Sequence, residues 1–372
     1  MKEKTKIAFF GIKYFPSRGG TSRVAENLIL NLKDDFHITV YCYSNPKAKN
    51  HIAGVEVVQF PEIKMGSLGV FLFYALCFWH IRWFGNYEII HAHKIDSFYF
   101  LKGLSKCGKV VATAHEAPYK RDKWGRVAKK FFKVCEKRFL NFKGKKTAIS
   151  KPLCDFYKET YNVDVTFIPN GINLSEGRSE DEAFKFWPKN VAKDVLFVLF
   201  AARRIMGTKG LHTMLKAYKK VNYKGEIFVA GELDNFPSYI KEIKELSKGL
   251  NVHFLGFVNP LTALLSMVDK CDYFVFPSET EGMSIMLLEV ASSGKSIIAS
   301  DIPENTQVFD DNDVLYFKNK NVEDLAQKIQ WVEENREDFD ILGLNAQTKV
   351  SDYYTWDRIA LDYKDLYKDL LV

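Results

Sequence analysis

The 372-residue chain lacks several features that mark specialised classes of protein. Its six cysteines lie far apart and form no CxxC pair, which argues against a disulfide framework and against a structural zinc site. We therefore expect a reducing, cytoplasmic location. The N-terminal apolar stretch is too short for a signal peptide, and the apolar run at 68–79, with twelve residues, is too short to span a membrane.

Charge is abundant and unevenly distributed. The net charge is +7, but residues 1–173 hold 29 Lys and Arg against 14 Asp and Glu, whereas residues 174–372 hold 24 against 32. A basic half joined to an acidic half indicates a surface that meets something anionic, such as nucleic acid, a membrane or a charged acceptor. Uneven surface charge without a partner is the alternative.

Short runs of β-branched and aromatic residues alternate with helical patterns, which is typical of parallel sheets with crossover helices. The first series of predicted strands covers 6–12, 37–43, 55–60, 87–93, 109–115, 145–150 and 165–169. The second covers 194–202, 226–232, 251–257, 272–278, 295–301 and 313–317. We therefore predict an α/β protein with two successive doubly wound, Rossmann-like domains.

The same pattern predicts the domain boundaries. We expect an N-terminal domain over 1–173 and a C-terminal domain over 194–353. Residues 174–193 are polar and charged and lack periodicity, which predicts a linker. Apolar residues at helical spacing predict a last helix in 354–372, which can pack back on the first domain.

Two predicted loops after strands carry residues suited to anions, because open α/β sheets bind ligands beyond the carboxyl ends of their strands. Gly19 and Gly20 precede a helix whose N-terminus favours an anion, although a plain tight turn explains the pair equally well. Arg204 and Lys209 lie five residues apart between a strand and a helix, where two cations can converge on a diphosphate. Solvated surface cations are the alternative.

A third loop places Glu281 and Gly282 at the predicted start of a helix, with Glu289 eight residues later. Free backbone N–H groups at Gly282, Met283 and Ser284 would suit a phosphate, and eight residues of helix would bring both carboxylates towards one face. Glu281 could instead cap the helix. Glu289 has apolar neighbours, and buried carboxylates are rare without a partner.

Three histidines, His91, His93 and His115, lie at predicted strand ends. The HAH stretch lacks a third ligand at a usual spacing, so we expect no metal site and instead neutral histidines that line a polar cleft.

Five motifs, in this order, resemble those of the retaining nucleotide-sugar glycosyltransferases of family 4, which have the GT-B fold. They are the glycine pair, His115 in VATAHE, the PNG stretch with Asn170, ARRIMGTKG, and Glu281 separated from Glu289 by seven residues. The resemblance covers nearly the whole chain, and five motifs in register are far more specific than any one. It implies two Rossmann-like domains that face a central cleft, with 1–173 on the acceptor side and 194–353 as the nucleotide-sugar-binding domain.

The resemblance also implies roles for the matching residues. Arg204 and Lys209 are expected to bind the donor diphosphate, Glu289 to hold the ribose hydroxyls, and His115 to lie beside the transferred sugar. Glu281 is expected near the donor sugar. The remaining donor-binding residues implied are Gly19 and Gly20, which face the phosphates, Asn170, and the backbone of Gly282, Met283, Ser284 and Ile285.

Two departures from the family pattern bear on specificity. Arg203 stands where the family usually has glycine before the arginine, which could alter the phosphate loop. The stretch 283–286, MSIM, replaces a more usual FGLP-like stretch, which could change the sugar that fits. Neither change removes a group that the chemistry needs.

Residues 116–146 contain twelve Lys and Arg against three acidic residues, with interleaved aromatic side chains. This composition predicts a helix that lies on an anionic membrane surface, and single-stranded nucleic acid is the rival partner. No nucleic-acid-binding signature accompanies it, so the membrane is favoured. The residues assigned to this contact are Lys120, Arg121, Lys123, Arg126, Lys129, Lys130 and Lys133. The apolar run at 68–79 is either a core helix, which is favoured, or part of that surface.

Together these observations predict a peripheral enzyme on the inner face of the membrane. It would move a sugar from a nucleotide-diphosphate sugar to a saccharide or lipid acceptor in surface polysaccharide or glycolipid assembly, without a metal, and the resemblance implies retention of anomeric configuration. A sugar-nucleotide epimerase on the same fold, a glycoside hydrolase using Glu281 and Glu289, and a nucleic-acid-binding protein are the alternatives.

Overall fold

The structure is a computed structural model that describes residues 4–17, 19–49, 51–120, 125–174 and 177–372. The chain divides into two compact units. The first comprises Met1–Gly171 together with Trp356–Val372, and the second comprises Ile172–Thr355. Each unit has its own parallel sheet and its own hydrophobic core.

The first unit is built on a seven-stranded parallel sheet in the order β3-β2-β1-β4-β5-β6-β7. Its strands are β1 (Lys6–Phe10), β2 (His37–Tyr43), β3 (Val55–Phe60), β4 (Ile89–His93), β5 (Lys109–Ala114), β6 (Lys145–Ala148) and β7 (Thr166–Phe167). The helices within this stretch are α1 (Thr21–Leu32), α2 (Gly66–Phe84), α3 (Leu101–Leu104), α4 (Arg126–Asn141) and α5 (Lys151–Tyr161).

The second unit is built on a six-stranded parallel sheet in the order β10-β9-β8-β11-β12-β13. Its strands are β8 (Phe197–Arg204), β9 (Glu226–Glu232), β10 (Asn251–Gly256), β11 (Tyr273–Phe276), β12 (Ile297–Ser300) and β13 (Leu315–Phe317). Its helices are α6 (Glu180–Phe184), α7 (Leu211–Lys220), α8 (Pro237–Ser247), α9 (Leu261–Lys270), α10 (Ile285–Ser292), α11 (Pro303–Thr306), α12 (Val322–Glu334) and α13 (Arg336–Tyr353).

Both sheets have the doubly wound order, in which the chain starts in the middle and reverses direction after the third strand. The central strands are buried on both faces, which explains why they appear in the sequence as continuous apolar runs without alternation. The predicted α/β class with two doubly wound, Rossmann-like domains is confirmed.

The final helix, α14 (Trp356–Leu371), belongs to the first unit, where it packs against α1. Its buried face contains Trp356, Ile359, Tyr363 and Tyr367. Tyr367 and Tyr363 also reach the polar groups of β4 and β5, because their hydroxyls are hydrogen-bonded to side chains of those strands. The helix is therefore held in the first unit by its buried apolar face and by the hydrogen bonds of two tyrosine hydroxyls.

Two segments differ from the expectation. Residues 174–193 were expected to be a linker, but those that the structure describes lie in the second unit. They contain α6, which packs on α9, and Trp187 is buried against Phe197 and Phe228. Residues 68–79 form only part of α2, which has nineteen residues because it continues through His80 and Arg82. By length and composition alone, α2 is long enough to cross a membrane.

Candidate functional site

Two loops at the carboxyl ends of β8 and β11 are held against each other in the second unit. Gly210 follows the 3-10 turn Gly207–Lys209 with a φ of 70°, and a Cβ at this position would lie 1.8 Å from the carbonyl oxygen of Pro277. The Glu279 amide donates to the carbonyl oxygen of Thr208 at 2.9 Å. Only glycine permits this approach, which joins the ends of the two motifs.

The joined loops place cations on carboxylates. Lys209 Nζ lies 2.5 Å from Glu281 Oε1, and both side chains are largely withdrawn from solvent. Arg204 Nε lies 3.5 Å from one carboxylate oxygen of Glu232, and Arg203 Nε lies 3.8 Å from the other. Lysine has three N–H donors and arginine five, so each cation can keep its carboxylate and still donate to a phosphate.

Two carboxylates near these ion pairs, Glu279 and Glu232, were not predicted. The Glu279 carboxylate lies 3.4 Å from His212 Nε2 and 3.1 Å from Lys320 Nζ, and the Glu279 carbonyl oxygen accepts from the side-chain amide of Asn319. Glu232, at the end of β9, could have been predicted as a site residue from the strand order. In the doubly wound order β9 is the neighbour of β8, and both strands end at the same edge of the sheet.

The start of α10 corrects one prediction. The helix begins at Ile285, four residues after Glu281, and Ser284 is its N-cap, with Oγ accepting from the Leu287 amide at 3.4 Å. Glu281 therefore neither caps the helix nor shares a helical face with Glu289 through eight helical residues. The N–H groups suited to an anion are those of Ile285 and Met286 at the start of the first turn, because the next two amides donate to Ser284.

Glu289 lies in the middle of α10 and is only 4% exposed. It follows the buried Leu287 and Leu288, and Val290 after it is also buried. Met283, in the position where the family pattern differs, is buried as well. The expected burial of the Glu289 carboxylate is thus observed.

The glycine pair of the first unit adopts the backbone that its sequence indicates. Gly19 has a φ of 97° and Gly20 a φ of 58°, and Gly20 is the N-cap of α1. Both values lie in the left-handed region that favours glycine. Asn170, which follows β7, is buried.

The three histidines form one buried group in the first unit. His91 Nδ1 lies 2.6 Å from the Tyr367 hydroxyl, and its Nε2 lies 2.7 Å from Thr113 Oγ1. His93 Nδ1 lies 3.1 Å from His115 Nε2. His91 and His93 are fully buried, and His115 is 8% exposed. They are therefore interior groups rather than cleft-lining ones, apart from a small exposed part of His115.

Burial keeps these rings neutral. Desolvation, aided by the His91 imidazole and Lys94, lowers the pKa of His115 to about 3. Burial and the adjacent ring likewise hold the pKa values of His91 and His93 well below the usual 6.5. Within the described residues no group of three or more His, Cys, Asp or Glu side chains could hold a metal ion.

The basic segment has a polar face and an apolar one. Arg126, Lys130 and Lys133 are exposed on α4, and Lys129 is half-buried. Arg121 and Lys123 lie outside the described residues, as does the side chain of Lys120.

The aromatic residues of α4 correct a second prediction. Phe132 and Phe139 are buried, and the Phe139 ring stacks on Phe98 with 5.0 Å between centroids. Phe131 is half-buried and packs on Phe71 of α2. Because the hydrophobic stripe of α4 faces the core, its rings are not available to a membrane or a base.

Two family comparisons together span most of the chain. Residues 18–176 match the family described as Glycosyltransferase Family 4, and residues 181–349 match Glycosyl transferases group 1. A curated relative is the N,N'-diacetylbacillosaminyl-diphospho-undecaprenol alpha-1,3-N-acetylgalactosaminyltransferase of Campylobacter jejuni, 31% identical over 186 residues. That match covers 49% of this chain and 47% of the relative, so the chain spans about half of that enzyme's length.

Solved structures agree on the fold. Sucrose-phosphate synthase from Thermosynechococcus elongatus has a TM-score of 0.82 at 19% identity and covers 99% of both chains. HepE from Anabaena, in complex with UDP and glucose, has a TM-score of 0.79 at 17% identity and covers 98% of this chain and 100% of its own. The fold is GT-B, and the chain belongs to the glycosyltransferases that combine a family 4 domain with a group 1 domain.

Proposed function

We propose that this glycosyltransferase moves a hexose-type sugar from a nucleotide-diphosphate donor to a lipid-linked saccharide or lipid acceptor, with retention, in surface polysaccharide or glycolipid assembly at the cytoplasmic face of a membrane. The observation that carries the donor part is the pairing of Lys209 with Glu281 beside Arg204 at the carboxyl edge of the second sheet. The name of the Campylobacter relative, which specifies a diphospho-undecaprenol-linked sugar, supports the acceptor class.

The donor diphosphate is an anion of the kind that lysine, arginine and helix N-termini bind. Lys209 and Arg204 each have a carboxylate partner that fixes the side chain while leaving other N–H groups to donate. The first turn of α10 adds backbone N–H groups with the favourable end of the helix dipole. We propose that these groups hold the diphosphate and stabilise the charge that develops as it leaves. In this proposal Glu289 binds the ribose diol, Glu281 lies near the sugar and His115 contacts the sugar.

Retention follows in this proposal from the leaving group itself. The bond from the anomeric carbon to the phosphate oxygen breaks, and the acceptor oxygen attacks from the same face of the sugar. The departing phosphate takes the acceptor proton, so no side-chain base is needed. The enzyme contributes orientation and charge stabilisation. The anomeric proton coupling in the product, read by NMR, tests this directly, because an inverted product excludes it.

Calorimetry with UDP, GDP, dTDP and ADP and their sugars tests the donor site. A ligand that binds only the folded protein also raises its melting temperature. Arg204→Ala and Lys209→Ala should each weaken binding of the nucleoside diphosphate by about 1.5 to 3 kcal/mol, the scale of a charge-assisted hydrogen bond. Lys220→Ala is the matched control, because Lys220 also pairs with a carboxylate, Glu323, but lies at the far end of α7. Unchanged affinity in both site variants excludes this site.

A membrane contact is proposed for the outer surfaces of α4 and α2. The exposed cations of α4 supply attraction for anionic lipid, worth about 1 kcal/mol each near the surface. The neighbouring α2 exposes an apolar stripe that includes Leu68, Trp79 and Trp83, the last 67% exposed. Trp79 and Trp83 are stacked, with 4.7 Å between ring centroids. The half-buried rings of Phe71 and Phe131 join the two helices.

Vesicle co-sedimentation tests this surface. Binding should prefer anionic lipid and weaken with salt. Reversing Lys129, Lys130 and Lys133 to glutamate should remove the lipid preference, and Trp79→Ser with Trp83→Ser should weaken binding to all vesicles. Reversal of Lys241, Lys244 and Lys248, on or just after α8 of the second unit, is the matched control. Equal vesicle binding by all variants would place the contact elsewhere.

The other activities predict different products. An epimerase would convert the nucleotide sugar without an acceptor, and a hydrolase would release sugar without any nucleotide donor. The ion pair with Lys209 favours the ionised form of the Glu281 carboxylate, which suits a binding group better than the proton donor of a hydrolase. Nucleic-acid binding would appear as oligonucleotide affinity with a steep dependence on salt.

A further inference from the structure

One fully buried ring nitrogen of the histidine group has no hydrogen-bond partner in the part of the chain that the structure describes. His93 is fully buried, and among the described residues nothing pairs with its Nε2. His91, on the same face of β4, has a hydroxyl at each ring nitrogen, from Tyr367 at 2.6 Å and from Thr113 at 2.7 Å. Both ring nitrogens of His91 therefore have hydrogen-bond partners, whereas one of His93 does not. This difference determines which nitrogen of His115 carries the proton.

A single proton lies between His93 Nδ1 and His115 Nε2, which are 3.1 Å apart. Both rings are neutral because burial lowers their pKa values, and a neutral imidazole carries its proton on one nitrogen only. If His115 donates, His93 must carry its own proton on Nε2, as a buried N–H without an acceptor. If His93 donates, Nε2 is a bare lone pair and His115 carries its proton on Nδ1.

The second arrangement costs less, because orphaned buried N–H groups are the rarest unsatisfied groups in folded proteins. The ring of Phe9 cannot accept a hydrogen bond from an Nε2–H of His93. It stacks on His93 with 5.7 Å between centroids and 15° between planes, so its π face lies above the imidazole and not in the plane where an Nε2–H would point. His93 is therefore the donor of the pair.

We propose that His93 is a positioning residue that holds His115 as the Nδ1–H tautomer, so that His115 presents a hydrogen-bond donor to an oxygen of the transferred sugar. The only hydrogen bond that the described residues give His115 is the one to His93, which leaves Nδ1 for a ligand. The sugar contact rests on the proposed function, whereas the tautomer is a property of the free protein.

The tautomer is measured by NMR on the full chain labelled with nitrogen-15 histidine. Two-bond correlations between ring protons and nitrogens identify which nitrogen is protonated, and the signals lost in His115→Gln assign His115. At pH 7 without ligand, we expect a protonated Nδ1 and an unprotonated Nε2. A protonated Nε2, or an equal mixture of the two forms, would overturn the proposal.

Two variants separate positioning from packing. Asparagine places its amide near the position of Nδ1, and glutamine places it near Nε2. His93→Asn should therefore keep the Nδ1–H form of His115 and most of the kcat. His93→Gln should give a mixture of tautomers and a kcat lower by about tenfold, the effect of one net hydrogen bond, with unchanged affinity for the nucleoside diphosphate. Equal kcat losses with an unchanged tautomer would show that His93 only fills space. If a variant does not fold, the wild-type spectrum decides.

Failure of this inference is distinct from failure of the proposed function. Absence of donor binding and of sugar transfer by the wild-type protein would remove the sugar contact but leave the tautomer measurable. A wrong tautomer in an active enzyme would remove the positioning role alone.

Discussion

The two units share a strand order but place opposite chemistry at the carboxyl ends of their strands. In the first, the central strands end in neutral imidazoles and hydroxyls that are almost completely withdrawn from water. In the second, they end in lysine, arginine and glutamate side chains that remain in part exposed and pair across loops. One fold thus supports a desolvated hydrogen-bonding edge and a charged one.

The difference follows from what each unit packs over its sheet. In the first unit, α14 packs on α1, and its tyrosines bring hydroxyls to His91 of β4 and Thr113 of β5. Buried positions favour neutral groups, because burial penalises ions strongly. In the second unit, the cations stay at least one quarter exposed, where ion pairs cost little to form. Neutral groups suit orientation of a sugar, and exposed cations suit a diphosphate.

Acid should separate the two units most strongly. Burial lowers the pKa values of three histidines in the first unit, while in the unfolded chain they titrate near 6.5. Below pH 6.5 the unfolded state binds protons that the folded unit does not, so stability falls as pH falls. Between pH 6.5 and 5 the loss should be about 2 kcal/mol for each histidine. In the second unit His212, whose pKa is also lowered by burial, is only half-buried and should contribute less.

Hydrogen exchange on peptides from each unit, corrected for the intrinsic effect of pH, measures this difference. Protection should fall more in the first unit than in the second, because the half-buried His212 contributes less than the three desolvated rings of the first unit. Simultaneous loss in both units would contradict the assignment of neutral, desolvated histidines.

The next largest effect tests the loop contact that assembles the charged edge. Gly210→Ala combines a φ of 70° with a Cβ 1.8 Å from a carbonyl oxygen, so we expect a loss of about 2 to 4 kcal/mol and weaker nucleotide binding. Gly207→Ala is the control, because a Cβ there meets nothing within 4 Å. Urea denaturation and calorimetry give both quantities. Equal stability of the two variants would mean that the close approach at Gly210 is not needed.

Replacing Glu289 or Glu281 should have a smaller effect than Gly210→Ala, and the two replacements should affect different steps. Glu289→Gln should weaken binding of the nucleoside diphosphate by about 1 to 2 kcal/mol and leave residual transfer, because it loses charge assistance but keeps hydrogen bonding. Glu281→Gln releases Lys209 from its carboxylate, so diphosphate binding should be kept while turnover falls. If Glu289→Gln binds as wild type and Glu281→Gln does not, the two roles are reversed. A complete loss of turnover in Glu289→Gln with saccharide binding kept would indicate a hydrolase nucleophile instead.

The architecture was predictable because it depends on local periodicity. Strand runs and helical spacing are properties of neighbouring residues, and they indicated both sheets. The errors arose where a local pattern had two interpretations. Ser284 is a standard N-cap residue and could have placed the start of α10, but Glu281 precedes it and also suits a helix start. In α4, Phe132 and Phe139 follow the helical repeat of the core stripe, with lysines on the opposite face.

The site was predictable only within each motif. The Lys209 pair with Glu281 joins residues 72 positions apart, and the Arg204 contact with Glu232 depends on which strands are neighbours. The buried network is further from prediction, since it joins His91 to Tyr367, 276 positions later. No spacing rule in the sequence reports that a C-terminal helix supplies the hydroxyl.

The smallest effect tests that long-range contact. Tyr367→Phe removes the hydroxyl 2.6 Å from His91 Nδ1 and leaves a buried ring nitrogen without its partner, so we expect a loss of about 1 to 2 kcal/mol in the free energy of unfolding. Tyr363→Phe, one turn earlier on α14, is the control. Its hydroxyl lies 3.4 Å from Thr113 Oγ1, which also bonds His91 and Thr147 at 2.7 Å, so its loss should cost only a few tenths of a kcal/mol. Urea denaturation of the two variants, which differ from wild type by one oxygen each, gives the comparison. Equal costs would mean that the tyrosines act through their rings, and the first unit's edge would then owe its neutrality to apolar cover alone.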